Sequence, residues 1–402
     1  MNRTAHVSKT RLAVVALMYC VLFRGALAGE TNTAAIPGRP SAPQYIIRNP
    51  REHSRYSPES RRWTGVPQLA VTPEGRLWVT FFASTTGGED ANNYVVLTTS
   101  SDKGRTWEEV LVVDPDGDGP LRGSEPTIWI APDKTFWLFW AHRPSPGQTD
   151  RDSRATVWTM KTGDLETNHP NWSAPQYICD GFGSQKPIAL SSGEWLYPSA
   201  ASALDPTHSA QVYLSTDRGS HWSLSGAAPN EAGAENYGVE HSIVERKDGS
   251  VWMLARTRKD GICESVSTDK GRTWLPLKPL TIKHTASRFF LDRLSSGNLL
   301  LIKHGPIALD TGRSHLMAFL SKDDGRTWSK GLLIDQRVCA CYPAGQQATD
   351  GTIYVTYDTD RLATQEITMV AFTEEDILSP DYDESIIKVA RSRKIITKGG
   401  PR

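Results

Sequence analysis

The stretch Ser267-Thr-Asp269-Lys-Gly271-Arg-Thr273-Trp274 decides the fold, because the chain writes it four times. Its other copies are Ser100-Ser-Asp102-Lys-Gly104-Arg-Thr106-Trp107, Ser215-Thr-Asp217-Arg-Gly219-Ser-His221-Trp222 and Ser321-Lys-Asp323-Asp-Gly325-Arg-Thr327-Trp328. Each reads as a hairpin corner: an Asp side chain bonds the amides of a tight turn, Gly accepts positive φ, and Trp returns to an apolar layer. An eroded copy stands at Asn168-His-Pro-Asn-Trp172, so the box tryptophans recur about fifty to sixty-five residues apart. Between the boxes a doublet repeats, made of an apolar run, a tight turn and a second apolar run. The doublets are Val66–Val71 with Leu77–Phe82, Pro126–Ile130 with Phe136–Trp140, Pro187–Leu190 with Trp195–Tyr197, Ser242–Glu245 with Val251–Ala255, Phe289–Leu291 with Leu299–Ile302, and Pro343–Ala348 with Ile353–Tyr357. Gly75, Gly193, Gly249, Gly297 and Gly351 centre five of the turns, and Asp133-Lys134 takes that place in the second unit. Six repeats of one β-unit predict an all-β, six-bladed propeller, its ring closed by a strand from Tyr45–Arg48 or Ile386–Val389 joining the last blade.

The repeated octapeptide resembles the Asp-box of the sialidase superfamily of β-propellers, and the resemblance covers most of the chain after its first forty residues. The chain has 402 residues. Met1 to Gly29 reads as a secretory signal, with Arg3, Lys9 and Arg11 ahead of the apolar stretch Leu12 to Phe23 and a small-residue site at Ala26-Leu-Ala28. Residues 30–43 read as a loose leader and 44–402 as one propeller, which grows by blades and escapes the usual size ceiling of a single core. The expected location is secreted or periplasmic. No later stretch reaches the run of about eighteen apolar residues that a membrane helix needs. Lys plus Arg equals Asp plus Glu at 45 each, so no broad field favours nucleic acid or a membrane surface, and a charged ligand has to be recognised locally. Removal of the signal leaves Cys179, Cys263, Cys339 and Cys341, an even number whose pairing spacing does not decide.

Strand direction alternates within a blade, so the first and third turns share one rim and the second turn lies on the other. The boxes are third turns. Residues entering each first strand, and those just past each second strand, therefore share the opposite rim. Nine positions before each doublet turn stand Val66, Glu125, Glu240, Arg288 and Tyr342, with Gln185 or Lys186 in the third unit. A ring of inward charged and phenolic groups is costly to desolvate unless partnered, and it reads as a polar pocket. Asp90, Arg256 and Arg313 follow second strands and join the same rim.

At these residues the resemblance to exo-sialidases becomes specific. It implies Tyr342, heading Tyr-Pro-Ala-Gly-Gln-Gln-Ala-Thr-Asp-Gly-Thr-Ile-Tyr-Val-Thr-Tyr, as nucleophile; Glu240, in Val-Glu-His-Ser-Ile-Val-Glu-Arg-Lys-Asp-Gly, as its activating base; and Asp90 of the 85–93 loop as acid, with Glu89 a close competitor. Arg256 in Leu-Ala-Arg and Arg313 ahead of the fourth box are implied as guanidiniums holding a sugar carboxylate. The family's first-blade Arg-Ile-Pro is here Gly65-Val66-Pro67, so one arginine is missing, and Arg288, Arg61 or Arg62 is left to supply the third. Glu125 and Arg288 are read as substrate contacts or ring electrostatics. The chemistry asks for these types: a glycosidic bond leaves through an oxocarbenium-like state, needing an acid on one side and a nucleophile on the other. A Tyr hydroxyl that passes its proton to Glu240 avoids the repulsion between an anionic nucleophile and a carboxylate on the anomeric carbon.

The implied function is an exported, retaining exo-glycosidase that removes sialic acid or a related acidic sugar from glycans, without cofactor or metal. Gly65 keeps two alternatives open: a hydrolase or lyase acting on uronic-acid glycans, and a propeller that binds glycans without cleaving them. Asp114-Pro-Asp116-Gly-Asp118-Gly119 followed by Glu125 matches a calcium-loop pattern, but its β-context makes it an acidic turn between blades. The histidines show no zinc spacing, and only His241, beside Glu240, stands near the expected chemistry.

Overall fold

Box glycines mark where one blade meets the next. A Cβ on Gly104 would lie 2.5 Å from Met369, one on Gly219 2.8 Å from Trp137, one on Gly271 3.1 Å from Leu196 and one on Gly325 2.6 Å from Trp252, each in the preceding blade of the ring. All four take positive φ, between 75° and 88°, so the turn needs glycine for its backbone and for its neighbour alike. In each box the serine closes the corner, as Ser267 Oγ donates to Asp269 and accepts Gly271 N, both at 2.8 Å. The aspartate then accepts Thr273 N at 2.8 Å and Thr273 Oγ1 at 2.7 Å.

The structure is a computed structural model that describes residues 42–144, 155–183, 185–200, 209–231, 239–259, 261–361 and 363–400. The expected export signal, 1–29, and all but the end of the expected leader lie outside the described residues. Six antiparallel sheets form six blades. Their first strands are Trp63–Val71, Leu121–Ile130, Ile188–Ala189, Val239–Glu245, Phe290–Arg293 and Ala340–Gln347, and each pairs with the second strand of its doublet. Apolar clusters fill the seams between blades: Trp63, Trp78, Phe82 and Phe136 join blades one and two, and Phe290, Leu300, Ile353 and Val370 join five and six. Boxes occupy the third turns of blades one, three, four and five. Two helices, Glu374–Leu378 and Tyr382–Ser392, take that position in blade six.

The ring closes differently from the expectation. Tyr45–Ile47 adds a fifth strand outside Glu108–Asp114 of blade one, and Ile386–Val389 lies inside the second helix, capped by Asp381, whose side chain accepts Glu384 N. Apolar residues at Ile386 and Val389 are three apart, which suits a helix face as well as a strand. Blade six completes itself with Lys394–Lys398. Closure then rests on blade one packing against blade six, with bonds from Val66 N to Asp358 Oδ2 at 2.9 Å, Thr64 Oγ1 to Gln365 O at 2.6 Å and Gln346 Nε2 to Val71 O at 2.9 Å.

Among the described residues no helix is long and apolar enough to cross a membrane. No disulfide joins Cys179, Cys263, Cys339 and Cys341 to one another.

Candidate functional site

Four first strands carry the same local device. Val66, Glu125, Glu240 and Tyr342 adopt φ of 57°, 48°, 56° and 54°. Each sits in a register shift of its strand, between Gly65 and Gln68, Ser124 and Thr127, Val239 and Ser242, and Cys341 and Ala344. Left-handed backbone is uncommon for these residue types, and for a β-branched Val it costs about 1–3 kcal/mol. These are the positions nine residues before the doublet turns. The repeated bulge breaks the strand alternation there.

The tyrosine and both glutamates meet in a cavity of about 370 Å³, lined also by Glu89, Arg122, Arg143, Arg256 and Arg361. Glu240 is buried, and both its oxygens are taken: Oε2 by Arg256 Nη1 and Oε1 by Arg288 Nη2 at 3.1 Å. Burial alone would raise its pKa, but the guanidiniums of Arg256 and Arg288 outweigh that and hold it below the usual carboxylate range. The expected direct bond from Tyr342 to Glu240 is replaced by a relay. Arg256 Nη1 donates to Glu240 and also to Tyr342 Oη at 3.4 Å. Glu125 accepts Arg288 Nη2 at 2.5 Å and Arg143 Nη1 at 3.4 Å. Asp114, at the far end of the acidic turn, is used elsewhere and accepts Tyr56 Oη at 2.9 Å.

Arg288 therefore does not offer its charge to the cavity. It is fully buried behind the tyrosine, its guanidinium carbon 4.9 Å from the ring centroid, and binds the two glutamates together. Arg61 faces the other way, buried against Glu109 with bonds of 2.7 and 2.8 Å, and Arg62 is exposed. Arg313 lines an adjoining cavity of about 370 Å³ with Trp63, Cys339, Cys341 and Arg361, and its guanidinium carbon is 5.6 Å from the Tyr342 centroid. Its Nη2 donates to Ala286 O at 3.0 Å.

Asp90 lines neither cavity. Its carboxylate ties down its own loop, accepting Thr86 Oγ1 and, at 2.8 Å, Asn92 N. Its neighbour Glu89 lines both cavities and bridges Arg361 Nη1 at 2.9 Å and Arg122 Nη1 at 3.2 Å. Arg361 escaped the sequence reading, although it stands two residues past the second strand of blade six, much as Arg256 ends that of blade four. Its guanidinium carbon lies 4.3 Å from the Tyr342 centroid, and its Nε faces Asp358 Oδ2 at 3.5 Å. Burial pushes the Asp358 carboxyl above its ordinary value despite that arginine. His241 turns away from the chemistry, bonding Gln211 O at 2.7 Å, and burial lowers its pKa to about 4.

A further cavity, about 500 Å³, opens between blades two to five beside the Gly249 turn and contains neither the tyrosine nor the paired glutamates. Among the described residues no group of three or more His, Cys, Asp or Glu is arranged to hold a metal ion.

Residues 122–355, more than half of the chain, match the model of a family described as BNR repeat-like domain. No curated protein matches. Among solved structures, a Hadza microbial sialidase superposes with a TM-score of 0.63 at 20% identity, covering 78% of this chain and 66% of its own. A Dyadobacter fermentans protein of unknown function gives 0.59 at 18% identity over 81% of this chain and 96% of its own. An intramolecular trans-sialidase from Ruminococcus gnavus, in complex with oseltamivir carboxylate, gives 0.61 at 15% identity over 78% and 95%. The chain thus spans just under two thirds of the Hadza enzyme. At these identities the likeness is one of fold.

Proposed function

The chain belongs to the BNR repeat-like domain family, in the sialidase superfamily of propellers, and on that premise we propose that it is an exported glycosidase acting on glycans that end in an acidic sugar. One observation carries the reading: Tyr342, Glu240 and Arg256 share one axial cavity, with a single guanidinium nitrogen bridging phenol and carboxylate. A binder has no need of that arrangement, because recognition does not require a nucleophile poised against a base.

In the proposed reaction Tyr342 Oη attacks the anomeric carbon and its proton passes to Glu240 as Arg256 gives way. The leaving oxygen takes a proton from the 85–93 loop, and there the geometry favours Glu89 over Asp90. Water then reverses the sequence with retention. Arg256 and Arg313 add positive charge on either side of the Tyr342 phenol, toward the sugar carboxylate. The guanidiniums of Arg256, Arg313 and Arg361 around one phenol favour an anionic ligand over a neutral one. The proposed setting is outside the cytoplasm, on the signal at 1–29, and the acid, base and nucleophile suffice without cofactor or metal.

Gly65 supports a second reading, a hydrolase or lyase of uronic-acid glycans. Incubating the purified protein with sialosides and uronic-acid oligosaccharides, then resolving products by mass, separates the outcomes. Hydrolysis adds a water across the cleaved bond, elimination adds none, and a binder leaves each glycan intact while retaining it. Intact, unretained glycans throughout would sink the proposal.

A further inference from the structure

Glu89 stands where an incoming carboxylate would stand. It is an anion already docked between Arg361 and Arg122, at 2.9 and 3.2 Å, on the open side of the cavity. The other two carboxylates of the pocket, Glu125 and Glu240, are buried and committed to Arg288 and Arg256. Glu89 differs because its side chain keeps 37% of its exposure, so water can receive it when it leaves.

Arg361 is built to stay behind. A Cβ on Gly65 would lie 2.8 Å from Arg361 Cδ and 2.8 Å from the Trp63 ring, so the stem of this blade-six arginine crosses the space over blade one that a side chain at 65 would need. Asp358, buried within its blade, accepts Val66 N at 2.9 Å and faces Arg361 Nε at 3.5 Å. That contact fixes one edge of the guanidinium and presents the other, with Nη1, to Glu89.

We propose that Glu89 is an internal stand-in for the ligand's carboxylate, and that Arg361, with Arg122, is the anion site the ligand takes from it. The inference rests on the acidic-sugar reading above and names the groups that would select for the acid. Exchange replaces one pair of charge-assisted bonds by another, so the ligand gains only the difference, and the resident anion lowers its apparent affinity. Departure of Glu89 from the two arginines also lets its carboxylate take a proton from water and carry it to the leaving oxygen. A neutral ligand offers the two arginines no substitute and leaves Glu89 in place.

Calorimetric binding of free sialic acid and of glucuronic acid, each beside its methyl ester, tests this on the whole protein. Glu89→Gln removes the competitor and should tighten binding of the acid about tenfold, near 1.4 kcal/mol, while leaving the ester unchanged. Arg361→Gln should lose most of the preference for acid over ester. Arg361→Lys keeps a cation beside Asp358 but loses the second edge; it should also weaken acid binding, and it serves if the Gln variant fails to melt cooperatively. A protein that only needs these residues for folding would not move in opposite directions on the two substitutions. The proposal is overturned if Glu89→Gln binds the acid no tighter than the parent, or if the arginine variants keep the parent's preference for acid over ester. If the parent binds the acid and only these shifts are missing, the acidic-sugar reading stands without this site; if no variant binds either acid, both fall.

Discussion

The two rims of this propeller satisfy their carboxylates in opposite ways. On the box rim each aspartate is answered inside its own turn: Asp102 accepts Arg105 N and Thr106 N at 2.9 Å and Thr106 Oγ1 at 2.7 Å. On the pocket rim, Glu125 of blade two and Glu240 of blade four are joined through Arg288 of blade five, and Arg256 extends the chain of charges to Tyr342 of blade six. A box is finished when about eight residues have folded, whereas the pocket exists only when the ring has closed. Local satisfaction makes a motif that can be copied from blade to blade. Distributed satisfaction makes a site that occurs once.

The largest effect expected from this contrast is on turnover. Tyr342→Phe should lower kcat on an aryl glycoside of the acidic sugar by about 10³-fold or more, as loss of a nucleophile does elsewhere, while the melting transition changes little. Turnover that survives would remove the pocket's claim to chemistry. Next comes stability: Arg288→Ala takes the shared partner from two buried glutamates, leaving Glu240 only Arg256 and Glu125 only Arg143, and should cost about 3 kcal/mol by denaturant titration. A loss of less than about 1 kcal/mol would mean that the charges on this rim are as independent as the boxes.

Acid should separate buried histidines from exposed ones. Burial lowers the pKa of His241 and His304 to about 4 and that of His142 to about 3, whereas the unfolded chain holds them near 6.5. Between these values the unfolded state binds more protons, so stability present above about pH 6.5 is lost as the pH falls toward 4. The urea midpoint should therefore drop between pH 7 and pH 5, and His142→Phe should flatten that slope. A midpoint unchanged over this range would contradict the burial of these rings. The smallest effect belongs to the boxes. Ser267→Ala removes one corner bond pair and should cost about 0.5–1.5 kcal/mol with KM and kcat unaltered. A change in KM would show that the rims are coupled after all.

The same contrast explains what could be read from the chain. The boxes and doublets were legible because a turn announces itself in adjacent residues, and the offset from each doublet turn located Glu125, Glu240 and Tyr342. Arg361 was missed because its role depends on Gly65, nearly three hundred positions away, leaving room for its stem. Glu89 and Asp90 differ in which way two neighbouring side chains point, Asp90 being held by Thr86 and Asn92 and Glu89 by Arg122 and Arg361. The closing strands failed for a different reason: Asp381 caps a helix that apolar spacing alone does not distinguish from a strand.

The bulge shared by Val66, Glu125, Glu240 and Tyr342 has an evolutionary consequence. Because the backbone breaks its alternation at the same point in each of these blades, one residue in each occupies an equivalent socket around the axis. Three sockets hold an acid or a phenol, and the fourth holds an aliphatic Val that contributes no chemistry of its own. A single codon change at position 66 would install a new functional group among the existing ones without a new loop or strand. Blade one is the vacancy through which this scaffold can acquire another substrate.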